Sequence, residues 1–244
     1  MNRQENEGRT EDPASMDWPD RLATLAADTR DPRLKTFYEA GCAAPATTMS
    51  EVPMVALDFE TTGLDPDEHS IVSVGLVPFT LDRIRLSGAR HWVVRPPLPL
   101  HRESVTIHGI THSDIEHAPD FGEILSELLP ALAGRIVVVH YRAIERPFFD
   151  VAMQWRLREG IQFPVIDTMA IEAHLNPNRN PSRWQQLMGK KPVSIRLPDS
   201  RLRYHLPHYP GHNALIDAIA TAELLQAQIR HHFSPETPIS DLWL

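Results

Sequence analysis

Hydrophobic residues are scarce in the first 20 positions of the chain and then recur at the spacing of helices. The first stretch is so rich in polar and charged residues that burial could not offset the entropy lost on ordering, so we predict a disordered tail at residues 1–20. From residue 18 to 40 a helical period is interrupted at Asp31-Pro32, which predicts two short helices. Residues 43–48 have the composition of a linker.

Short apolar runs typical of strands begin after the linker. Three of them, at residues 54–59, 70–77 and 91–94, follow one another without a helical pattern and predict an antiparallel meander. Helix and strand patterns then alternate, with helices at 121–133, 143–158 and 213–231 and strands at 135–139 and 165–166. The predicted fold class is α/β, a mixed sheet of three antiparallel strands followed by parallel strands and flanking helices.

Length and composition indicate one main domain. A chain of 244 residues with 42% hydrophobic residues can bury one sizeable core and a small appendage. We assign residues 21–50 to a helical extension and linker, 51–233 to the main domain and 234–244 to a C-terminal tail. The apolar runs are far shorter than the roughly 20 residues of a membrane-spanning helix, and the polar start lacks a signal-peptide pattern. We expect a soluble cytoplasmic protein with no membrane partner.

Charge and cysteine content narrow the chemistry. The net charge of −8 argues against a protein that coats nucleic acid by bulk electrostatic attraction, which depends on Lys and Arg. Cys42 is the single cysteine, so neither an internal disulfide nor a Cys-rich zinc site can form. Any bound metal must therefore use carboxylates and histidines.

The first candidate site is the pair Asp58 and Glu60 at the end of the first strand. Residues i and i+2 of a strand point to the same face, so the two carboxylates project side by side. Hard cations such as Mg²⁺ or Mn²⁺ prefer oxygen ligands of this kind. The alternative is a solvated pair on a strand edge. The apolar run before the pair and the tight Thr61–Leu64 turn after it favour the site.

The second candidate site follows the strand at 135–139 and contains two acids, Glu145 and Asp150. An acid there lies near a helix start beside the carboxyl end of a strand, where ligand sites of α/β sheets are common. The alternative is an ordinary N-terminal acid stabilised by the helix dipole. Glu145 shares a helix face with Phe148-Phe149, whereas Asp150 lies about 140° away. We predict that Asp150 faces solvent, with Arg146 as a candidate partner. The alternative is that Tyr141-Arg142 and Pro147 shift the helix start and bring Asp150, in place of Glu145, to the metals.

The third candidate site combines His212 and Asp217. Five residues on a helix correspond to a rotation of about 140°, so we place His212 on the preceding loop, with Asn213 as N-cap and Asp217 one turn into the helix. A mobile histidine beside a rigid carboxylate suits a general base next to a metal ligand. A surface or capping histidine is the alternative.

Taken together, these motifs resemble those of a known family. Leu57-Asp58-Phe59-Glu60-Thr61-Thr62-Gly63-Leu64, His140 followed by Glu145, and His212-x-Ala214-x-x-Asp217-Ala218 are similar, in order and spacing, to the motifs of the DnaQ-like (DEDDh) 3′–5′ exonucleases. Residues 107–111 and 165–169 also match. The similarity runs from about Val52 to His232.

The resemblance implies an RNase H-like fold and metal-dependent hydrolysis at the 3′ end of DNA or RNA that releases nucleoside monophosphates. It implies two Mg²⁺ or Mn²⁺ ions, which can activate a water and stabilise the leaving oxygen. The metal ligands would be Asp58, Glu60, Glu145 and Asp217. The catalytic set would comprise His212 as general base with Glu60 and Glu145. Substrate contacts would come from Thr61, Thr62, Gly63, Leu64 and His108.

One position departs from the family, because Glu145 stands where the family has Asp. The carboxylate is retained one methylene further out, which predicts an altered metal position, a reduced rate or a different metal preference. A catalytically weak or silent nucleic-acid-binding protein is therefore one alternative. Another is an accessory subunit whose N-terminal helices dock a polymerase-type partner. A homodimer also stays open.

A basic run precedes the third site and contains a single acid, Asp199. It is either a solvated loop or a surface that follows the phosphates of a strand. Its cations are Arg179, Arg183, Lys190, Lys191, Arg196, Arg201 and Arg203.

Overall fold

The structure is a computed structural model that describes residues 17–97, 105–106, 108–180, 184, 188–189 and 191–244. Most of the tail predicted at residues 1–20, together with Ile107, Arg183 and Lys190, therefore lies outside the described residues. The two predicted N-terminal helices are present as α1, Trp18–Asp28, and α2, Pro32–Glu39. The first helix begins inside the predicted tail. Its N-cap is Asp17, and that of α2 is Asp31.

The sheet has five strands in the order β3-β2-β1-β4-β5. Neighbours β1–β2 and β2–β3 are antiparallel, whereas β1–β4 and β4–β5 are parallel. The predicted mixed sheet is thus confirmed. The strands are β1 Met54–Thr61, β2 Ile71–Phe79, β3 Arg90–Val93, β4 Ile136–Val139 and β5 Val165–Asp167.

The remaining helices cover the sheet, and the three long ones were predicted. The short helices α3, α6 and α7 were not predicted. Two of them have capping signals in the sequence: Asp167 is the N-cap of α6, and Thr111 with Asp114 forms a capping box at α3. Within the described part of the chain, no helix is long and apolar enough to cross a membrane. The helices are α3 His112–Glu116, α4 Phe121–Leu132, α5 Arg142–Leu157, α6 Thr168–Leu175, α7 Leu197–Arg203 and α8 Ala214–His232.

The central strand β1 separates two packed layers. Its side chains alternate, so Phe59 points to the layer of α5, where its ring lies 5.7 Å from that of Phe149. Asp58 and Glu60 point to the opposite face, on which α8 packs across β1 and β2. The carboxylates therefore emerge between the sheet and the start of α8.

Both ends of the described chain pack onto this core. The N-terminal helices bury Trp18, Leu34 and Tyr38, and α2 packs against α4. The segment that we assigned to a C-terminal tail buries Trp243, and the backbone N–H of Leu244 donates to the carbonyl of Val165 at 2.8 Å. Trp243 and Leu244 thus lie against β5, whereas Thr237 and Ile239 are hydrogen-bonded to the segment before β1, through Met49 and Thr47.

Candidate active site

Strand β1 presents the first two carboxylates. In the antiparallel ladder Asp58 lies opposite Gly75 and Glu60 opposite Ser73. The pairing shifts register between Glu60 and Thr61, as at a β-bulge. The bulge ends the regular ladder directly after the acidic pair and leads into the Thr61–Leu64 turn.

Helix α8 brings the third carboxylate to this pair. A Cβ on Gly75 would lie 2.1 Å from the backbone carbonyl carbon of Ala214, so only glycine allows the start of α8 to approach β2 this closely. Asp217 follows one turn later. Oxygen atoms of Asp58, Glu60 and Asp217 all lie within 4.8 Å of one another.

The fourth acid is Glu145 in the first turn of α5. Its side chain is 3% exposed, and Oε2 has no hydrogen-bond partner among the described residues. The Glu145 charge is one of those that raise the pKa of Asp58, so the two carboxylates interact. Phe148 and Phe149, predicted to share its face, are buried with it.

Asp150 is not part of the carboxylate cluster, and both of its carboxylate oxygens accept hydrogen bonds from other groups. Its Oδ1 accepts from the backbone N–H of Ile161 at 2.8 Å, and its Oδ2 accepts from the Gln154 side chain at 2.7 Å. The predicted pairing with Arg146 is wrong, because that guanidinium donates to the carbonyl of Phe163 at 3.0 Å. Asp150 is also only partly exposed, since it closes the loop that follows α5.

The turn that delivers Glu145 is held by Asp167. Its carboxylate accepts from the backbone N–H of Tyr141 at 3.1 Å and of Arg142 at 3.0 Å, while it also caps α6. Tyr141 has a φ of 102°, a left-handed conformation that is unfavourable for a non-glycine residue. Asp167 therefore stabilises a strained entry into α5, three residues before Glu145.

His212 lies outside α8, as predicted. Its φ is 67°, its side chain is exposed, and its backbone N–H donates to Oδ2 of Asp217 at 2.8 Å. The helix starts at Ala214 with Asn213 as N-cap, which confirms the predicted boundary. His108 comes from a different part of the chain, a helical position before Gly109. Burial and, after it, the charge of His212 lower the pKa of His108, so the two imidazoles interact.

The Thr61–Leu64 turn is held by hydrogen bonds at its two threonines, whereas its last residue is exposed to solvent. The Thr61 hydroxyl donates to the carbonyl of Gly63 at 2.6 Å, and Thr62 is buried, its hydroxyl oxygen accepting from the Ser70 N–H at 3.0 Å. Leu64, in contrast, is 80% exposed. Leu64 is thus the exposed apolar side chain of this turn.

Burial and mutual repulsion dominate the electrostatics of the cluster. Burial, then the charges of Glu145, Asp217 and Glu60, raise the pKa of Asp58 well above its usual range. Burial and the Asp217 charge raise the pKa of Glu60 to about 7, and burial raises that of Glu145 to about 8. Burial also raises the pKa of Asp217, although backbone N–H groups oppose the shift.

These residues fit a divalent cation. None of the ion pairs found among the described residues involves any of the four acids, and a buried carboxylate without a positive partner is costly. Oxygen donors alone, close together and one of them unpartnered, are the ligand set that Mg²⁺ and Mn²⁺ favour.

Two members of the basic run are held in ion pairs, which corrects the interpretation of the whole run as a phosphate-binding surface. Arg201 is buried and pairs with Glu223 at 2.7 Å, and Arg203 pairs with Glu172. Lys191 and Arg196 are exposed.

Two residues that position the carboxylates, Gly75 and Asp167, were not predicted to have this role. Gly75 was missed, although a glycine inside a strand is a recognised sign of close backbone approach. Asp167 was noted only as part of a supporting motif, and its hold on the Tyr141 turn depends on a contact between distant residues.

A mixed sheet of this order with a carboxylate cluster beside its central strand is typical of nucleases with an RNase H-like fold. Comparisons with known proteins indicate the same class. The family model described as Exonuclease matches residues 55–225. The DNA polymerase III subunit epsilon of Treponema pallidum (strain Nichols) is 26% identical over 181 residues, covering 74% of this chain and 78% of the relative. The DNA polymerase III PolC-type of Thermotoga petrophila is 30% identical over 178 residues, covering 73% of this chain and 12% of the relative.

Solved structures share the fold. The nuclease domain of 3′hExo, described as a DEDDh family member bound to rAMP, aligns with a TM-score of 0.60 at 14% identity, covering 78% of this chain and 96% of that one. Exonuclease X in complex with 5′ overhanging duplex DNA aligns with a TM-score of 0.56 at 21% identity, covering 77% and 98%. At these identities the likeness establishes the fold alone.

The chain therefore belongs to the Exonuclease family. The resemblance is confirmed by this family and by relatives named DNA polymerase III subunit epsilon, and the RNase H-like fold predicted from the sequence is confirmed as well. The chain spans only about a tenth of the PolC-type relatives that it matches, 9% of one and 12% of another.

Proposed function

We propose that the protein is a 3′–5′ exonuclease that hydrolyses phosphodiester bonds at the 3′ end of DNA or RNA and releases nucleoside monophosphates. One observation carries the proposal: Asp58, Glu60 and Asp217 converge within 4.8 Å, and Asp58 interacts with the buried Glu145, whose Oε2 has no hydrogen-bond partner among the described residues. A cluster of repelling acids destabilises a fold unless cations bind it, so its presence favours a metal site over a structural role.

We further propose that Asp58, Glu60, Glu145 and Asp217 hold two Mg²⁺ or Mn²⁺ ions. When bound, such ions activate a water and stabilise the charge of the leaving 3′-oxygen. The chain's own part is to fix the carboxylates: β1 sets the first pair, Gly75 lets α8 bring Asp217 against them, and Asp167 holds the turn that presents Glu145.

His212 is proposed as the general base. Its backbone is anchored through its N–H to Asp217, while the imidazole stays exposed at the edge of the cluster. A group in that place can accept a proton from the attacking water without being a ligand itself.

The 3′-terminal nucleotide is proposed to lie between the Thr61–Leu64 turn and His108. The turn is braced by its own hydrogen bonds, and Leu64 offers an apolar surface for a base or sugar. Two structural neighbours, one described as bound to rAMP and one as in complex with duplex DNA, support a nucleic-acid ligand without separating DNA from RNA.

A second candidate follows from Glu145: a nucleic-acid-binding protein with weak or silent catalysis. The longer side chain places the fourth carboxylate differently from an Asp, and ligand geometry controls the reactivity of a metal site. The proposal that the N-terminal helices dock a polymerase-type partner has less support, because their apolar faces are buried in the protein's own core.

The test uses single-stranded DNA and RNA of one sequence, labelled at the 5′ end, with Mg²⁺, Mn²⁺ or EDTA. We expect a ladder that shortens from the 3′ end, release of nucleoside monophosphates, and loss of both with EDTA or in Asp58→Asn. Binding without release would favour the silent protein. Activity that survives EDTA would contradict the metal mechanism.

A further inference from the structure

The segment between α7 and α8, residues 204–213, carries His212 and is tied down by a buried arginine. Arg201 is 4% exposed. One guanidinium nitrogen, Nη1, donates to the carbonyl of Ala220 at 2.6 Å. The other, Nη2, donates to the carbonyl of Pro207 at 2.9 Å and to Oε2 of Glu223 at 2.7 Å. Arg201 therefore links the segment to α8.

Tyr209 makes a second link between the segment and α8. Its hydroxyl donates to Oε1 of Glu223 at 2.9 Å, and its ring lies over the guanidinium of Arg201, 4.6 Å from ring centre to carbon. Both oxygens of Glu223 are thus engaged, one by each partner. Such charge-assisted and cation–π contacts hold side chains in defined orientations.

These hydrogen bonds reach the same part of α8 that carries Asp217. Asp217, Ala220 and Glu223 are three residues apart and so follow one another along neighbouring turns of the helix. The segment contacts Glu223 through the Tyr209 hydroxyl and Asp217 through the His212 N–H, while Arg201 of α7 contacts Ala220 between them. Tyr209 is only three residues from His212.

We propose that Arg201, Tyr209 and Glu223 form a clamp that positions His212 over the carboxylate cluster. They are positioning residues, which act through His212, and the inference rests on the proposed function because it takes His212 as the general base. The clamp also assigns Arg201, a member of the basic run, to loop placement in place of phosphate binding.

The segment needs such a clamp. His212 is exposed and has a φ of 67°, a conformation that persists only where the surroundings enforce it. A cavity of about 260 Å³ separates part of the segment from α7 and α8, with Leu202, Leu206, Tyr209 and Ala220 among its lining residues, so close packing does not fix the segment on this side. Burial and the bond to Glu223 raise the pKa of Tyr209, so its hydroxyl remains a donor at neutral pH.

The test compares two matched tyrosines. Tyr209→Phe removes the hydroxyl that reaches Glu223. Tyr204→Phe removes a hydroxyl that donates to Glu172 at 2.7 Å at the start of the same segment but outside the clamp. We expect Tyr209→Phe to lower kcat by about 10-fold, the size typical of losing an orienting partner, with KM for the oligonucleotide and Mn²⁺ affinity unchanged. Tyr204→Phe should keep kcat near the wild-type value.

A double-mutant cycle distinguishes positioning from general loosening. If Tyr209 acts through His212, then Tyr209→Phe causes no further loss of kcat in a His212→Ala background. An additive loss, or an equal loss of kcat in Tyr204→Phe, would overturn the clamp. Full activity of His212→Ala would overturn it together with the role of His212, while metal-dependent exonuclease activity of the wild type would stand.

Hydrogen exchange gives a readout that needs no activity. Peptides covering residues 205–213 should lose protection in Tyr209→Phe and keep it in Tyr204→Phe. Unchanged protection in Tyr209→Phe refutes the clamp. If the wild type releases no nucleotide, the proposed function fails, and this exchange result still decides whether the clamp holds the segment.

Discussion

Gly75 lies directly opposite Asp58 in the antiparallel pairing of β1 and β2, and its missing side chain leaves the space that the first turn of α8 occupies. A strand residue without a side chain thus lets a helix carry Asp217 to within ligand distance of Asp58. The site depends on this close approach as much as on the acids themselves.

Gly75→Ala should therefore damage the metal site. The added Cβ meets backbone atoms of Ala214 and Leu215, which cannot rotate away, so α8 must shift. We expect a loss of about 1–3 kcal/mol in the free energy of unfolding, as for other overpacked positions, and a weaker affinity for Mn²⁺. Thermal unfolding and calorimetric Mn²⁺ titration measure the two effects.

Gly41→Ala is the control for Gly75→Ala. Gly41 has a φ of 63°, and no described atom outside its own stretch of chain lies within 4 Å of the place that an added Cβ would take. The variant should therefore lose about 1–2 kcal/mol through backbone strain alone. Its Mn²⁺ affinity should be that of the wild type. Equal Mn²⁺ affinity in the two variants would show that the Gly75 contact does not shape the site.

The metal-free protein should lose stability as the pH rises from about 6.5 to about 8, the upper part of the range between the unfolded pKa of the two glutamates, 4.5, and their folded values. A carboxyl group whose pKa is higher in the folded state binds more protons there, so the stability present below its unfolded pKa is lost as the pH approaches its folded pKa. For Glu60 and Glu145 the folded values are about 7 and about 8. Histidines with lowered pKa, such as His140, titrate below this window.

Melting curves in EDTA at several pH values measure this loss. We expect a decrease of at least about 1 kcal/mol, equivalent to roughly 2–4 °C in Tm for a chain of this size. Glu145→Gln should flatten the slope. Saturating Mn²⁺ should reverse it, because the cation binds the deprotonated acids. A flat EDTA profile for the wild type would mean that folding does not raise the pKa of these acids.

Which features could be predicted depends on whether their cause is local in sequence. The pairing of Asp58 with Glu60 follows from the two-residue period of a strand, and the loop position of His212 follows from helix geometry and the Asn213 cap. The strands and long helices likewise follow from hydrophobic periodicity. Short helices such as α7 contain too few residues for that signal.

Features that depend on distant residues could not be predicted. Arg201 and Arg203 looked free because Asp199 is the only acid near them in sequence, yet their partners, Glu223 and Glu172, come from other helices. Charge alone does not reveal whether a side chain is solvated or paired. The same holds for Asp150, whose partners lie after the end of its helix and one turn along it.

Glu145 and Asp150 should respond differently to substitution. Glu145→Gln should lower kcat by about 10²-fold, the order found when one member of a transition-state-stabilising set is removed. Asp150→Asn should cost about 1–2 kcal/mol in stability, since it weakens the bond to the Ile161 N–H, and should leave kcat unchanged. Assays at saturating Mn²⁺ with parallel melting curves decide between them. An inactive Asp150→Asn beside a normal Glu145→Gln would reverse the assignment.

His212→Ala should reduce kcat by roughly 10²–10⁴-fold if the imidazole is the general base. Mn²⁺ affinity should change little, because the hydrogen bond from His212 to Asp217, a proposed ligand, comes from the backbone N–H, which alanine retains. His208→Ala, at another exposed histidine of the same segment, is the control and should stay active. Near-normal turnover of His212→Ala would exclude the role.

Asp167→Asn should reduce both stability and activity, because one of the two oxygens that hold the entry to α5 is replaced by a donor. The carboxylate accepts the N–H groups of Tyr141 and Arg142, and an amide cannot satisfy both while it also caps α6. We expect a loss of about 1–3 kcal/mol. Because Glu145 follows this strained turn, we also expect kcat to fall by about 10–100-fold, as for other groups that orient metal ligands.

Asp120→Asn controls for the loss of a helix cap as such. Asp120 caps α4 through the Gly122 N–H and pairs with Arg156 at 2.7 Å, so its substitution removes comparable interactions away from the carboxylate cluster. Both variants are assayed well below their melting temperatures, where each is fully folded. If Asp167 acts on Glu145, only Asp167→Asn loses activity. Equal losses of kcat in the two variants would reduce Asp167 to a general contribution to stability.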